Sequence, residues 1–334
     1  MTFPYFAGDG RRRAETAELP RSRRPDFLKP ENFRADPGAV DAVNVALLLG
    51  QPLLLTGEPG TGKTQLGYYI AWELGLGEAL KFETKSGSTA TSLFYTYDAL
   101  KRFQHVQSGI RSDNALPYIT YNALGQAIIR TREPAEVAPY LPEGLLHTGK
   151  TRSLVIIDEI DKAPRDFPND ILNELDQLYF RIPELDNQPI RADDELRPII
   201  ILTSNSEKDL PDAFLRRCIF YHIPFPDKQQ MRQIVESRLG LFTGGSSEFL
   251  SDALDLFYAL RGNASLRKKP ATAELLEWIT ALQVTAAGSV NPLRDDRQSG
   301  RRAQSARSTL SALVKTVEDQ THAATTVGQW AERR

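Results

Sequence analysis

Apolar residues along this chain fall into two alternating patterns: short unbroken runs and longer stretches with helical spacing. The first helical stretch, DPGAVDAVNVALLLG, opens at Asp36, a residue type that caps helix N-termini, with Pro37 at the first helical position. Val40, Val43 and Leu47 fall on one face, and Gly50 closes the helix. The next run, PLLLT, is short, apolar and bounded by Gly-Gln and Gly-Glu-Pro, which predicts a buried strand. QLGYYIAWELGL then returns to helical spacing.

Four more apolar runs follow: ALKFET (79–84), SLVIID (153–158), PIIILTS (198–204) and CIFYHI (218–223). The segments between them are too long for hairpins. Near-continuous apolar strands alternating with helices predict a mostly parallel sheet covered on both faces.

After Pro224 the strands stop. KQQMRQIVESRLGLF, EFLSDALDLFYALRG and PATAELLEWITALQVTAAG read as amphipathic helices, and STLSALVKTVEDQ as a fourth, with NPLRDDRQSGRRAQSARS a charged loop between the last two. The predicted division is a flexible arm over 1–31, an α/β core over 32–224, a helical domain over 225–322 and a tail over 323–334. The arm carries Arg11, Arg12, Arg13, Arg21, Arg23 and Arg24 among Pro, Gly and acidic residues, the composition of a solvated segment.

Composition narrows the classes. At 334 residues the chain is long enough for two packed units, since single cores stop growing at about 250–300 residues. The 41% apolar and 25% charged residues are those of an ordinary globular protein, and a net charge of −2 supplies no general attraction for nucleic acid. Cys218 is the single cysteine, so an intramolecular disulfide is excluded. The four histidines, His105, His147, His222 and His322, have no metal-ligand spacing. No apolar run reaches the ~18–20 residues of a membrane span, and the N-terminus lacks the apolar centre of a signal peptide. The expected setting is cytoplasmic, without membrane insertion.

The candidate chemistry starts at residues 57–64, GEPGTGKT, between a predicted strand and a predicted helix. Gly57, Gly62, Lys63 and Thr64 satisfy G-x-x-x-x-G-K-[ST], in which the loop's backbone N–H groups surround phosphate oxygens. Glu58, Pro59, Gly60 and Thr61 complete the loop. Lys63 would reach the β- and γ-phosphates, and Thr64 would place its hydroxyl on Mg²⁺. SLVIIDEID ends a buried strand in carboxylates: Asp158 would hold Mg²⁺ through water, and Glu159 would polarise the attacking water. An adjacent carboxylate points to hydrolysis rather than to binding alone. In IIILTSN, Asn205 falls just past a strand end, where an amide could orient water or contact the γ-phosphate. LPDAFLRRC ends a helix with Arg216 and Arg217, either of which could act as an arginine finger; helix-dipole pairing is the structural alternative.

GEPGTGKT, LVIIDEID, TSN, FLRR and a helical C-terminal region, in that order, resemble an AAA+ ATPase. DAVNVALLLGQPLLLTGEPGTGKTQL with SLFYTYDALKRF, DEIDKAP and RIPELDNQPI is similar to the MoxR branch, over roughly residues 33–320. The resemblance implies a P-loop core with a five-stranded parallel sheet in the order 5-1-4-3-2 and a small C-terminal helical lid. It also implies an insertion in the second helix, within 85–150, and a hairpin near 180–192, where Asp186 and Asn187 supply turn chemistry. By the same resemblance Lys63 and Thr64 are the phosphate and Mg²⁺ ligands, Asp158 and Glu159 the second motif, Asn205 the sensor-1 residue and Arg216 or Arg217 the finger. Sensor 2 falls in LRKKPATAELLEW, where Pro270 stands at the arginine position and Arg267, Lys268 or Lys269 could substitute.

The function this implies is an Mg-ATP-hydrolysing, ring-forming homo-oligomer, hexameric in relatives, that remodels or regulates a separate client protein. MoxR relatives serve von Willebrand factor A-type or conflict-system partners, and this chain contains no such domain. The alternative is an ATP-dependent assembly switch in which hydrolysis serves only as a timer. A nucleic-acid motor, fed by the Arg-rich arm, ranks below both, and nucleic acid is not expected as a partner.

Overall fold

A computed structural model describes residues 16, 18, 19, 21, 28–109, 114–145, 147–206, 210–240, 245–285, 289–298 and 303–333. Most of the predicted arm, including Arg11, Arg12, Arg13, Arg23 and Arg24, lies outside the described residues. The chain divides into two compact units, Ala35–Pro224 and a second formed by Phe225–Arg334 with the residues up to Arg34.

The first unit is built on a five-stranded sheet: β1 (Leu53–Thr56), β2 (Leu80–Glu83), β3 (Leu154–Asp158), β4 (Ile199–Thr203) and β5 (Ile219–His222). The strands lie in the order β2-β3-β4-β1-β5 with every pairing parallel, which is the predicted 5-1-4-3-2 order. Burial follows position. Every residue of β1 and β3 is buried, whereas the edge strands β2 and β5 alternate between half-buried and exposed residues.

Helix α1 (Pro37–Leu49) is capped as its sequence predicts, with Asp36 Oδ1 accepting from Ala39 N–H at 3.1 Å and Gly50 left-handed at its end. Its buried face differs from the predicted one. Ala39 and Ala46 are buried while Val40 is 44% exposed, because a helix lying close on β5 needs small side chains there. Helix α2 (Lys63–Glu73) follows the glycine loop, and Gly67 brings it close to Ile156 of β3. Between β2 and β3, Tyr95–Tyr97 pairs antiparallel with Ile119–Tyr121, enclosing helix α3 (Ala99–Gln107). Helix α4 (Ala123–Arg130) comes next and buries Leu124, Ala127 and Ile128 completely. A second hairpin pairs Tyr179–Arg181 with Pro189–Arg191; Asn187 has φ 56°, and Asp186 Oδ1 accepts from Gln188 N–H at 3.1 Å.

The second unit is helical, with α5 (Lys228–Leu239), α6 (Gly245–Arg261), α7 (Thr272–Thr285) and α8 (Val317–Arg333) around a core centred on Phe249, Phe257 and Trp278. Four sequence readings change here. Residues 28–34 belong to this unit rather than opening the core at 32: Arg238 Nη1 donates to Lys29 O at 2.8 Å and Ser237 Oγ to Asn32 O at 3.0 Å. The predicted charged loop contains helices Pro292–Gln298 and Gln304–Ser308, whose Leu293 and Ala306 are fully buried. STLSALVKTVEDQ is not one helix, because Leu310–Leu313 ends at an extended Val314 before α8 begins. The tail predicted from residue 323 is the body of α8, anchored by buried Ala323, Val327 and Trp330. Apolar residues three and four apart were present, but charged neighbours obscured them.

Asp319 on α8 is fully covered and accepts the N–H groups of Arg267 at 2.9 Å and Lys268 at 3.1 Å. The bond from Arg267 holds its carboxyl below the ordinary value, burial opposes this, and the bond from Lys268 adds to it. A depressed folded-state pKa contributes stability above the unfolded value of about 3.9, and that contribution disappears as pH falls through the folded value. Asp319→Asn is therefore expected to melt at a lower temperature than wild type at neutral pH, with the difference narrowing below about pH 4 in a pH series of thermal melts. Gly125→Ala would place a methyl 2.1 Å from the Phe94 carbonyl oxygen. Because backbone must move to admit it, a loss of about 1–3 kcal/mol is expected in denaturant unfolding.

Candidate functional site

The C-terminal ends of β1, β3 and β4 bring together the glycine loop, Asp158, Glu159 and Asn205. β4 lies between β1 and β3, and its register sets Ile157 beside Leu202 and Leu55 beside Thr203. The glycine loop after β1, the carboxylates after β3 and Asn205 after β4 therefore share one edge of the sheet, where open α/β sheets bind ligands.

Gly57 has φ 146°, and any Cβ on it would stand 2.6 Å from Ile223 O. Gly62, at φ 94°, ends the loop in a left-handed conformation and opens α2 without a side-chain cap. The first-turn N–H groups of α2 are thus left for an anion, and the helix dipole favours one there. Lys63 is buried, and its ammonium donates to Gly57 O at 2.8 Å, Glu58 O at 3.1 Å and Asn205 Oδ1 at 3.0 Å. Burial pushes Lys63 below its ordinary pKa against the pull of Asp161, Asp158 and Glu159. Thr61 Oγ1 donates to Glu58 O at 2.9 Å, closing the loop on itself.

Asp158 is 7% exposed. Its Oδ1 accepts from Thr64 Oγ1 at 2.8 Å and Thr203 Oγ1 at 2.6 Å, and its Oδ2 lies 2.9 Å from Lys81 Nζ. Burial alone would raise its pKa; the bonds from Lys81, Thr203 and Thr64 outweigh that and hold it below the ordinary value. For Lys81, burial opposes the charge, and bonds to Asp158 and Glu83 hold the ammonium above its ordinary value.

Glu159 is left-handed at φ 55°, with its N–H donating to Thr203 Oγ1 at 2.9 Å and its carboxylate paired with Lys162. One hydroxyl thus fixes both acidic residues. Asp161 orients Asn205, accepting its backbone N–H at 3.2 Å and its side-chain Nδ2 at 3.4 Å.

Arg216 and Arg217 are exposed and stand elsewhere. They precede β5, so in a parallel sheet they lie at the end opposite the glycine loop, and Arg217 Nε is 3.5 Å from Asp176. Arg267 and Lys269 belong to the helical unit, both exposed; Arg267 pairs with Glu318 at 2.9 Å.

Lys81, Thr203 and Asp161 were not singled out from sequence. Each left a faint signal: a lysine between the apolar Leu80 and Phe82 of a strand, a threonine closing IIILT, and a third carboxylate in DEID.

A parallel sheet ending in a glycine loop, an orphaned helix N-terminus and buried lysine defines a P-loop nucleotide-binding protein. The family model described as ATPase family associated with various cellular activities (AAA) matches residues 53–226, more than half of the chain, and the chain belongs to that family. Among solved structures, the crystal structure of the FIGL-1 AAA domain in complex with ADP is similar at 18% identity, covering 88% of this chain and 82% of that one, with a TM-score of 0.41. No curated protein matches the chain. Among the described residues no helix is long and apolar enough to cross a membrane.

Thr203→Val would remove the donor to Asp158 and leave Glu159 N–H without its acceptor. A stability loss of about 1–3 kcal/mol is expected by chemical denaturation, with Thr203→Ser close to wild type.

Proposed function

We propose that this AAA protein hydrolyses Mg-ATP as a ring of identical subunits of MoxR type and uses the cycle to remodel or regulate a separate client protein. The observation that carries the reading is the arrangement at the end of β3. Asp158 stands against Thr64, and the next residue, Glu159, is held by Thr203 at the open edge of the same sheet.

The donor set suits magnesium. Thr64 and Asp158 offer two hard oxygens 2.8 Å apart, and among the described residues no cluster of three or more His, Cys, Asp or Glu forms a complete protein cage. Mg²⁺ is usually held by one or two protein oxygens with phosphate and water supplying the rest. Bound there, the metal would neutralise charge on the transferring phosphoryl group. Lys63 and the α2 N-terminus bind the phosphates, Glu159 takes the proton of the attacking water, and Asn205, held by Asp161, orients that water.

Arg216 and Arg217 lie at the far end of the strands, which suits a neighbouring subunit's nucleotide, so each site is shared. Arg267 or Lys269 of the helical unit supplies a further cation. A von Willebrand factor A-type or conflict-system protein is the expected client class. The Lys162 contact, which engages the Glu159 carboxylate, favours a second reading: an ATP-dependent assembly switch in which hydrolysis acts only as a timer.

Glu159→Gln is expected to keep ATP binding while turnover falls at least about a hundredfold, by analogy with loss of a general base. It should also trap the assembled ring with its client in affinity capture. Full biological activity in this variant would instead support the switch. Arg216→Ala and Arg217→Ala are expected to lower steady-state ATPase with little change in nucleotide affinity; undiminished turnover in both would remove the shared-site assignment.

A further inference from the structure

Lys81 is a cation at this site that neither the glycine loop nor the proposed hydrolysis uses. It rises from the edge strand β2, two residues before Glu83, which is in register with Asp158. Its ammonium lies 2.9 Å from Asp158 Oδ2 and 2.8 Å from Glu83 Oε1, and its side chain is 27% exposed against 10% for Asp158. The other two donors to Asp158, Thr64 and Thr203, are neutral hydroxyls. Lys81 is therefore the charge that offsets this buried carboxylate, which would otherwise be costly to keep ionised.

The rest of the site is balanced in the same way. Glu159 is paired with Lys162, and Asp161 is engaged by Asn205, whose amide oxygen in turn accepts from Lys63. Three ammonium groups, those of Lys63, Lys81 and Lys162, thus stand among the carboxylates of Asp158, Glu83, Glu159 and Asp161. A divalent cation arriving alone meets a carboxylate already engaged through Oδ2 by an ammonium 2.9 Å away, which opposes a second positive charge at the same group. A nucleotide brings negative charge with its phosphates.

Resting on the proposed ATPase reading, we propose that Lys81 is the fixed counter-cation of Asp158 and makes acceptance of the divalent metal conditional on nucleotide. It is a positioning residue. Its ammonium contacts Asp158 and Glu83, and it acts through Asp158 by holding the carboxylate with Oδ1 toward Thr64 and by opposing a bare metal at the same group.

The test is a titration of the nucleotide-free full chain with Mn²⁺, followed by the electron paramagnetic resonance signal of the free ion. Wild type, Lys81→Met, Lys81→Gln and Lys81→Arg are compared, with thermal melts reporting folding. Removing one unit charge from the edge of the site is expected to tighten Mn²⁺ binding about tenfold or more in Lys81→Met. Lys81→Gln, which keeps a hydrogen-bond donor to Asp158 and so protects the fold, is expected to tighten likewise, and Lys81→Arg to bind as weakly as wild type. Equal Mn²⁺ affinity in wild type and in whichever neutral variant folds overturns the proposal, as does tightening in Lys81→Arg. A parallel measurement of fluorescent ATP analogue binding with Mn²⁺ separates the two readings. Wild type that binds no nucleotide sinks the ATPase assignment, whereas nucleotide binding with unchanged metal affinity in the neutral variants sinks the role of Lys81 alone.

Discussion

A carboxylate at the end of a buried strand must be satisfied or it destabilises the fold, and Asp158 is satisfied from three separate elements. Thr64 reaches it from α2, Thr203 from β4 and Lys81 from β2. These contacts tie the glycine-loop helix, the central strand and the edge strand to one point. The same contacts aim Asp158 Oδ1 at the Thr64 hydroxyl. Structural satisfaction and site geometry are therefore one requirement.

The parallel sheet supplies the rest of the constraint. Because all five strands run the same way, the segments leaving β1, β3 and β4 emerge side by side. Thr203 then serves two neighbours with one hydroxyl, donating to Asp158 and accepting from Glu159 N–H, which holds Glu159 in its left-handed conformation. Parallel direction also sends the residues before β5 to the opposite end, separating Arg216 and Arg217 from the chain's own glycine loop.

Much of the first unit was legible in the sequence because its signals are local. Buried strands read as unbroken apolar runs, glycines mark the loop whose backbone only they can adopt, and Asp36 and Gly50 mark the ends of α1. The helical unit was harder to read past α7. Asp296 and Asp319 look solvent-facing in sequence, yet both are buried, one accepting Ser305 N–H and the other capping the loop at Arg267 and Lys268. A charge buried against backbone N–H groups cannot be told from a surface charge by spacing.

By itself the sequence determined the succession of the five sheet strands along the chain, the phosphate loop and the adjacent carboxylates, since each depends on residues close along the chain. Only the tertiary structure decided which distant side chains serve them. Lys81 meets Asp158, far along the chain, because β2 and β3 are neighbours in register, and Asp161 meets Asn205 because β3 and β4 are. Strand pairing brings these groups within hydrogen-bond reach, and no local pattern of residue types encodes which strands will pair.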